Sequence, residues 1–231
     1  MAAVASFLYF AIMAEVFATI AATDYCNVKS CTYKKVNVKD HTMCKYTSPN
    51  PAAACGQGST FGLSKVQKDE IVSTHNRLRQ KVASGQETRG APGPQPAAVS
   101  MPDLTWDDEI ATIAQRWANQ CNFDHDKCRD VDRFQVGQNI AEYSTTGKLP
   151  SLSKMIKNQW YDEVDKFNGN KMGPYKFDMD TGHYSQMVWA DTTKIGCGLA
   201  KYKEGVWNVH YLVCNYGPSG NFPGREVYKQ K

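Results

Sequence analysis

One acidic residue interrupts an otherwise apolar helical stripe in the second half of this 231-residue chain. Glu163 lies at near-helical spacing from three large apolar residues, so its carboxylate is expected to face the interior. Those residues are Ile156, Trp160 and Phe167. Because an unpaired buried carboxylate costs several kcal/mol or neutralises, hydrogen-bond donors or cations should converge on Glu163. The best candidates in the sequence are His125 and His183.

Two imidazoles beside a carboxylate are compatible with two kinds of site. Neutral histidines bind Zn²⁺, and water can complete a tetrahedral coordination shell. The same side chains can instead form a hydrogen-bonded polar cluster that orders a cleft without any metal. We expect that no cofactor is required, and that zinc or another divalent cation, where it binds, binds weakly.

A serine near one of these histidines raises the question of hydrolysis. Ser185 is two residues from His183, so on a strand the two side chains would point the same way. With Glu163 they would form a rough Ser-His-Glu arrangement of a serine-type hydrolase. Positions i and i+2 of a strand are about 6 to 7 Å apart, and no oxyanion hole is evident in the sequence. We therefore predict a protein that is not an enzyme, and keep a metal-dependent or serine-type hydrolase as the alternative.

Helical periodicity predicts three helices that could position these groups. Ser64 and Gln67 have the spacing of a capping box, which predicts a first helix over about residues 64–84. A third helix is predicted over about residues 151–167, and it carries Glu163. The second helix follows from apolar residues at i, i+3, i+4, i+7, i+8 and i+11: Ile110, Ile113, Ala114, Trp117, Ala118 and Cys121.

Three later segments have the composition of strands: residues 184–189, 195–202 and 207–216. The last two are predicted to pair as a hairpin through Glu204 and Gly205. Residues 207–216 are almost continuously apolar, which is typical of a strand that is covered on both faces. The predicted fold class is therefore α+β, with helices on both sides of a sheet.

The N-terminus and the cysteines indicate an oxidising compartment. Residues 1–22 are nearly all apolar and end in small residues, which is typical of a secretory signal peptide cleaved near Ala22. The uncharged run ends at Glu15 and is too short to span a bilayer, and no later segment is long and apolar enough to do so. All eight cysteines follow this segment, so we expect a secreted protein with four disulfides. Spacing alone does not choose among the many possible pairings.

Charge and composition divide the rest of the chain. The net charge is only +4, and the cations are mixed with acids, so nucleic-acid binding is not predicted. Residues 24–62 are rich in Cys, Lys, Pro and Gly and predict an irregular extension packed on a main domain of residues 63–231. Residues 85–103 are rich in Pro and Gly and predict an extended loop, which is a candidate binding loop.

Two segments near the C-terminus resemble the signature motifs of a known family. Residues 182–189 read Gly-His-Tyr-Ser-Gln-Met-Val-Trp, and residues 210–221 read His-Tyr-Leu-Val-Cys-Asn-Tyr-Gly-Pro-Ser-Gly-Asn. Together they resemble the CAP superfamily of cysteine-rich secretory proteins, antigen five proteins and plant pathogenesis-related proteins. The cysteine-rich N-terminal segment, the Pro-rich loop and residues 121–128 are similar to the insect venom antigen five group, above all to its ant and wasp members.

The resemblance implies a fold, a disulfide pairing and a site. The implied fold is the three-layer α/β/α sandwich of CAP proteins with a disulfide-clamped, irregular N-terminal segment. The implied cleft tetrad is His125, Gln138, Glu163 and His183, and Gln138 stands where the family has a second glutamate, so metal affinity should be lower than in a two-glutamate site. The implied pairs are Cys26–Cys44, Cys31–Cys128, Cys55–Cys121 and Cys197–Cys214.

The same resemblance implies function. It is typical of a non-enzymatic, extracellular protein of venom or saliva, allergenic in exposed mammals and bound by their IgE, and we expect a monomer. Fatty acid or sterol is an implied ligand, although the aromatic residues that could line its pocket are core by default. A third possibility is a ligand of a host receptor that acts through residues 85–103. Channel-modulating relatives have a further cysteine-rich module, which we do not expect after Asn221. The aromatic residues are Tyr184, Trp189, Trp207, Tyr211 and Tyr216.

Overall fold

The computed structural model describes residues 23–33 and 35–231, so the predicted signal peptide lies outside the described residues. A five-stranded sheet forms the centre, in the order β1 (Thr60–Phe61), β4 (Lys194–Glu204), β5 (Trp207–Gly217) and β3 (Gly137–Thr145), and β2 (Thr105–Trp106) pairs with β4 in parallel. The other pairs are antiparallel. The predicted β4–β5 hairpin is confirmed. Strand β3, at the edge of the sheet, was not predicted.

Helices cover both faces of the sheet, as the apolar pattern of β5 predicts. Alternate residues of β5 enter different cores: Leu212 and Tyr216 pack with helices α3 (Lys65–Ala83), α5 (Leu152–Gln159) and α6 (Gly182–Met187). Tyr211 and Val213 pack with α4 (Asp108–Ala118) on the opposite face. The α+β class and the three layers are therefore confirmed.

Helix α4 lies unusually close to strand β4, and glycine makes the approach possible. A Cβ atom at Gly198 would lie 2.3 Å from the Cα atom of Gln115, and one at Gly196 would lie 2.4 Å from the amide nitrogen of Ala111. Real Cβ atoms do not approach backbone this closely, so only glycine permits the packing. The side chain of Asp107 caps the same helix by accepting a hydrogen bond from the amide of Ile110.

The first two predicted helices are confirmed, and the third is shorter than predicted. Ser64 and Gln67 form the full capping box at the start of α3. The segment predicted as one helix over residues 151–167 is α5 followed by a separate 3₁₀ helix, Tyr161–Asp165. The break falls at Trp160, whose buried indole donates a hydrogen bond to the Ile140 carbonyl of β3. This tertiary contact leaves no trace in the local periodicity.

The strand predicted over residues 184–189 is wrong, because Gly182–Met187 forms helix α6. A short apolar run does not distinguish a buried strand from a buried helix. Here the carboxylate of Glu163 accepts hydrogen bonds from the amides of His183 and Tyr184, at 2.9 and 3.0 Å. Negative charge at unpaired amides of the first turn favours the helix.

All four predicted disulfides are present, and they hold the N-terminal segment in place. Cys31–Cys128 and Cys55–Cys121 join that segment to the main body, Cys26–Cys44 lies within it, and Cys197–Cys214 links β4 to β5. The segment is not wholly irregular, because it contains short helices: Tyr25–Asn27, α1 (Lys29–Tyr33), Val38–Asp40, α2 (Thr42–Lys45) and Ala53–Cys55. The boundary between residues 62 and 63 stays a prediction.

The Pro-rich loop is extended, as predicted, and it is anchored at one buried acid. The Glu87 side chain is fully buried and accepts hydrogen bonds from Lys81, Arg89 and Tyr161. Arg89 also pairs with Asp162. The loop is therefore fastened beside the 3₁₀ helix that carries Glu163. Among the described residues, no helix is both long and apolar enough to cross a membrane.

Candidate functional site

Glu163 holds His183 through a complete set of hydrogen bonds. Its Oε1 atom lies 2.6 Å from His183 Nδ1, and its Oε2 atom accepts from the backbone amides of His183 and Tyr184. Since Oε2 already acts as an acceptor of two amides, we assign Nδ1 of His183 as the donor in its bond to Oε1. The imidazole also stacks against Trp160, with ring centroids 6.3 Å apart. The predicted partnership of Glu163 with a histidine is thus present in the structure.

The second histidine is held by an amide instead of a carboxylate. His125 Nδ1 lies 2.7 Å from Gln138 Oε1, and Gln138 Nε2 donates to Asp126 and Asn215. His125 follows α4, and Gln138 lies on β3, beside the β5 position that holds Asn215. The four tetrad residues therefore form two hydrogen-bonded pairs, His183 with Glu163 and His125 with Gln138, and the two pairs are near enough for His183 to act electrostatically on His125.

In both pairs the Nδ1 side of the ring is engaged, which leaves the Nε2 atoms for a ligand. No hydrogen bond to either Nε2 atom is formed within the described part of the chain, whereas both Nδ1 atoms have one. The pKa of His125 lies below its ordinary value, chiefly because the surrounding protein removes water from the ring. The bond to Gln138 opposes this effect, and Arg129 adds to it. His125 is therefore neutral at physiological pH and offers a lone pair at Nε2.

Glu163 and Gln138 do not complete a cage of metal ligands. Their oxygen atoms are occupied by the Nδ1 atoms and, for Glu163, by two backbone amides. Within the described residues, the only three His, Cys, Asp or Glu side chains whose ligand atoms lie within 4.8 Å of one another are Cys31, Cys128 and Asp130. That pair of cysteines is a disulfide, so this group does not present thiolates to a metal.

Ser185 is placed away from the role of a nucleophile. It lies on helix α6, where positions i and i+2 point about 200° apart, so the same-face argument from a strand is wrong. Its Oγ atom is buried, 2.8 Å from Asn221 Oδ1 and 2.9 Å from the Tyr175 hydroxyl. Among the described residues, no hydrogen bond joins it to His183. The predicted Ser-His-Glu arrangement is not formed.

Most of the aromatic residues proposed for a lipid pocket belong to the core. Tyr184, Trp189, Tyr211 and Tyr216 are fully buried, whereas Trp207 is 48% exposed at the hairpin end of β5. His75 is also a core residue, with hydrogen bonds to Ile71 and Tyr216.

A cavity that the sequence did not reveal lies beside helix α6. It has a volume of about 830 Å³ and is lined by residues of the 166–181 segment. Two of its apolar side chains face solvent, Phe177 at 60% exposure and Met179 at 84%. The sequence offered only one signal for it, two large apolar residues within a polar loop.

Two further polar residues of the cleft were also missed. Asp126 and Asn215 both accept from Gln138, and both are buried. Asn215 could have been noticed as a polar residue inside the apolar β5 strand, and Asp126 as the immediate neighbour of His125. Neither signal indicates what the side chain contacts.

The fold and the paired histidines define the class of protein, and comparison with known sequences agrees. Residues 72–216 match the profile of CAP, the cysteine-rich secretory protein family, and the chain belongs to that family. It is a secreted, venom antigen five-like member. It is 53% identical to "Venom allergen 3" of Solenopsis invicta over 99% of this chain and 98% of that protein. It is 50% identical to "Venom allergen 5.02" of Dolichovespula maculata over 91% of this chain and 96% of that protein.

Solved structures show the same fold. The structure entitled "Crystal structure of NaASP2 with Zn2+" is 29% identical, with a TM-score of 0.59 over 77% of this chain and 90% of that one. BmVAL-1 is 26% identical, with a TM-score of 0.61 over 77% of this chain and 87% of that one.

Proposed function

We propose that this antigen five-like protein is a non-enzymatic binding protein whose histidine cleft takes a divalent cation such as Zn²⁺. The observation that carries the proposal is the orientation of both rings. His125 and His183 each have Nδ1 engaged by an acceptor, so in the described part of the chain each Nε2 atom is left without a hydrogen bond. Imidazole ligands of zinc commonly have their other nitrogen bound to a carboxylate or a carbonyl oxygen.

The residues present fit a site with two protein ligands. The two imidazoles would hold the ion, and water would occupy the remaining positions, because the Glu163 and Gln138 oxygens are already hydrogen-bonded. Such a site is open and weaker than a structural zinc site with four protein ligands. The similarity to NaASP2, whose structure was determined with Zn²⁺, supports this choice of ion.

Zinc titration of the oxidised, secreted protein tests the proposal. We expect one ion per chain by native mass spectrometry and calorimetry, and loss of binding in His125→Ala and in His183→Ala. His210→Gln is the control, because the β3–β5 register places His210 opposite Tyr143, five residues along the strand from Gln138. Zinc binding that survives the double substitution of His125 and His183 would refute the proposal.

A second ligand is favoured by the cavity beside α6. Its volume of about 830 Å³ lies in the range of small-molecule pockets, and exposed Phe177 and Met179 could cover an apolar ligand. Lys166 and Asp180 form an ion pair at 3.5 Å along the same segment. We propose a fatty acid or sterol as the ligand, at this cavity and not among the core aromatic residues.

Lipid binding can be tested with substitutions at the two exposed apolar residues of the cavity. Titration with a fluorescent fatty acid and a fluorescent sterol should show saturable binding that Phe177→Asp and Met179→Asp each weaken. Val206→Asp is the control, since it adds the same charge at a residue that is 75% exposed on the distant hairpin turn. Equal weakening by the control, or no saturable binding by the wild type, would exclude this site.

We also propose that the protein does not hydrolyse peptides or esters and that IgE binds it. The burial and hydrogen bonds of Ser185 argue against serine-type hydrolysis, and turnover of peptide or ester substrates that is lost in His183→Ala would show an enzyme. Similarity to proteins named venom allergens supports binding of IgE from sensitised mammals, which an immunoassay with patient serum would test.

A further inference from the structure

We propose that Asp126 and Gln138 are a matched pair of positioning residues that fix which nitrogen of His125 faces the cleft. The inference rests on the proposed metal-binding function, because it concerns how one of the two ligands is presented. It also makes a statement about the metal-free protein, namely that His125 is protonated at Nδ1.

A backbone carbonyl, which can only accept, fixes which atoms donate and which accept in this hydrogen-bond network. The Ile110 carbonyl accepts a hydrogen bond from Asn215 Nδ2 at 3.1 Å. This contact fixes the side-chain amide of Asn215, which is fully buried. Its Oδ1 atom therefore faces the other way and accepts from Gln138 Nε2 at 3.1 Å.

Asp126 supplies the second acceptor for the same amide group. Its side chain is almost completely buried, and its Oδ1 atom accepts from Gln138 Nε2 at 3.0 Å and from the Arg129 guanidinium. Its Oδ2 atom accepts from the hydroxyl of Thr42. Thr42 belongs to the N-terminal segment, which is held here by the Cys31–Cys128 disulfide. The extension thus supports the back of the cleft.

These two acceptors leave Gln138 only one orientation. Both protons of its Nε2 group are directed at Asp126 and Asn215, so Oε1 is the atom that faces His125 and accepts from its Nδ1–H. Glu163 performs the same task for His183 with a carboxylate. The two neighbouring acceptors therefore require an amide at position 138. The oxygen of this amide accepts from a histidine Nδ1 atom, as the Glu163 carboxylate does for His183.

A carboxylate at this position would have no donor behind it. In Gln138→Glu, the new side chain would face the Asp126 carboxylate and the Asn215 carbonyl oxygen, which are both acceptors. Buried acceptors without donors are destabilising. Substituting Asp126→Asn in the same chain removes the negative charge that would face the new carboxylate, and the double variant has the same charge at the two positions as the wild type. The two substitutions should therefore compensate each other.

The direct test is the protonation state of the His125 ring in metal-free protein. We expect long-range ¹H–¹⁵N correlation spectra at pH 8 to show the Nδ1–H form of His125 in the wild type. The Nε2–H form would overturn the inference. This readout does not depend on stability, and so separates positioning from a merely structural role.

Thermal unfolding of the wild type and four variants tests the pairing itself. We expect Gln138→Glu to lower the unfolding midpoint of the wild type by roughly 5 °C. In the Asp126→Asn background, the same substitution should lower the midpoint by at most half as much. Gln86→Glu makes the same chemical change at an exposed loop residue and should leave the midpoint unchanged. Additive effects of the two cleft substitutions would overturn the matched pair.

The two proposals fail separately. If zinc does not bind but His125 is the Nδ1–H form, the metal function is refuted while the positioning network stands. If zinc binds through His125 although the metal-free ring is the Nε2–H form, the network is refuted while the metal function stands.

Discussion

A fully buried guanidinium ties helix α3 to three other parts of the chain, and removing it should be costly. Arg79 donates to the carbonyl of Pro102 through Nε and Nη2, to those of Met187 and Trp189 through Nη1, and to that of Thr192 through Nη2. Among the described residues no carboxylate forms an ion pair with it. Arg79→Met keeps most of the volume. In the part of the chain that the structure describes, it leaves the carbonyls of Pro102, Met187 and Thr192 without a donor, whereas that of Trp189 still accepts from the amide of Thr192.

The magnitude follows from two opposing terms. An unsatisfied buried acceptor costs about 1 to 3 kcal/mol, so three of them cost roughly 5 kcal/mol. Arg79→Met also removes the cost of burying a charge. Burial lowers the pKa of Arg79 from 12.5 to about 10, which corresponds to a cost of about 3 kcal/mol. The net loss of unfolding free energy is therefore about 2 kcal/mol, which lies within the usual range for single substitutions.

Guanidinium chloride unfolding with the disulfides intact measures this loss. Arg77→Met is the matched control, because Arg77 is exposed on the same helix, and it should change the unfolding free energy by less than about 0.5 kcal/mol. An Arg79→Met protein whose unfolding free energy lies within about 1 kcal/mol of the wild type would refute the argument from unsatisfied carbonyls.

Three further substitutions give distinct outcomes. Burial lowers the pKa of His75 to about 4, so between about pH 6.5 and pH 4 the unfolded state binds a proton that the folded state does not. The free energy of unfolding should therefore fall by about 3 kcal/mol as the pH is lowered through that window. Urea titrations of His75→Gln at several pH values should lack this part of the pH dependence. Gly198→Ala would place a methyl group 2.3 Å from the α4 backbone and should lower the thermal midpoint by several degrees, whereas Gly147→Ala, whose nearest neighbour is at 3.7 Å, should not; equal midpoints would contradict the packing. Hydrogen bonds from Arg89 and its neighbours outweigh desolvation and hold the pKa of Glu87 well below its usual range, so Glu87→Ala should speed amide exchange in residues 85–103, and unchanged exchange would show that the loop is fastened elsewhere.

The features predicted correctly from sequence are those encoded locally. The capping box of Ser64 and Gln67 and the apolar stripe of α4 lie within single helices, and the β4–β5 hairpin needs only a short turn between two apolar runs. The disulfide pairing came from the family resemblance, because spacing did not determine it. Local pattern and global fold agree at these places, which is expected of a chain that folds to one structure.

The errors lie where tertiary contacts decide the local conformation. Residues 182–187 form a helix because the Glu163 carboxylate binds its first amides, a contact between segments about twenty residues apart. The helix predicted through residue 167 is interrupted at Trp160 by a hydrogen bond to β3. Strand β3 itself mixes polar and apolar residues and has no hairpin partner next to it in sequence, so its pattern is weak.

The residues of the candidate site were named from the sequence, but most of the hydrogen bonds between them were not. The pairing of Glu163 with His183 followed from the cost of burying an unpaired carboxylate. The role of Gln138 did not, because it depends on Asp126 and Asn215, whose positions relative to each other are set only by the folded sheet. From the sequence, Gln138 was interpreted as the replacement of an acid. In the structure, its amide group donates to two buried acceptors, Asp126 and Asn215.

The central claim is that the two imidazoles present their Nε2 atoms to a common divalent cation. A crystal structure of the oxidised protein grown with Zn²⁺, with anomalous data collected at the zinc edge, tests it most directly. We expect one peak in the cleft, about 2.0 to 2.1 Å from Nε2 of both His125 and His183, with Glu163 and Gln138 still bound to the Nδ1 atoms. A cleft without a peak, or an ion coordinated by Nδ1 or by Glu163 in place of the two Nε2 atoms, would contradict it.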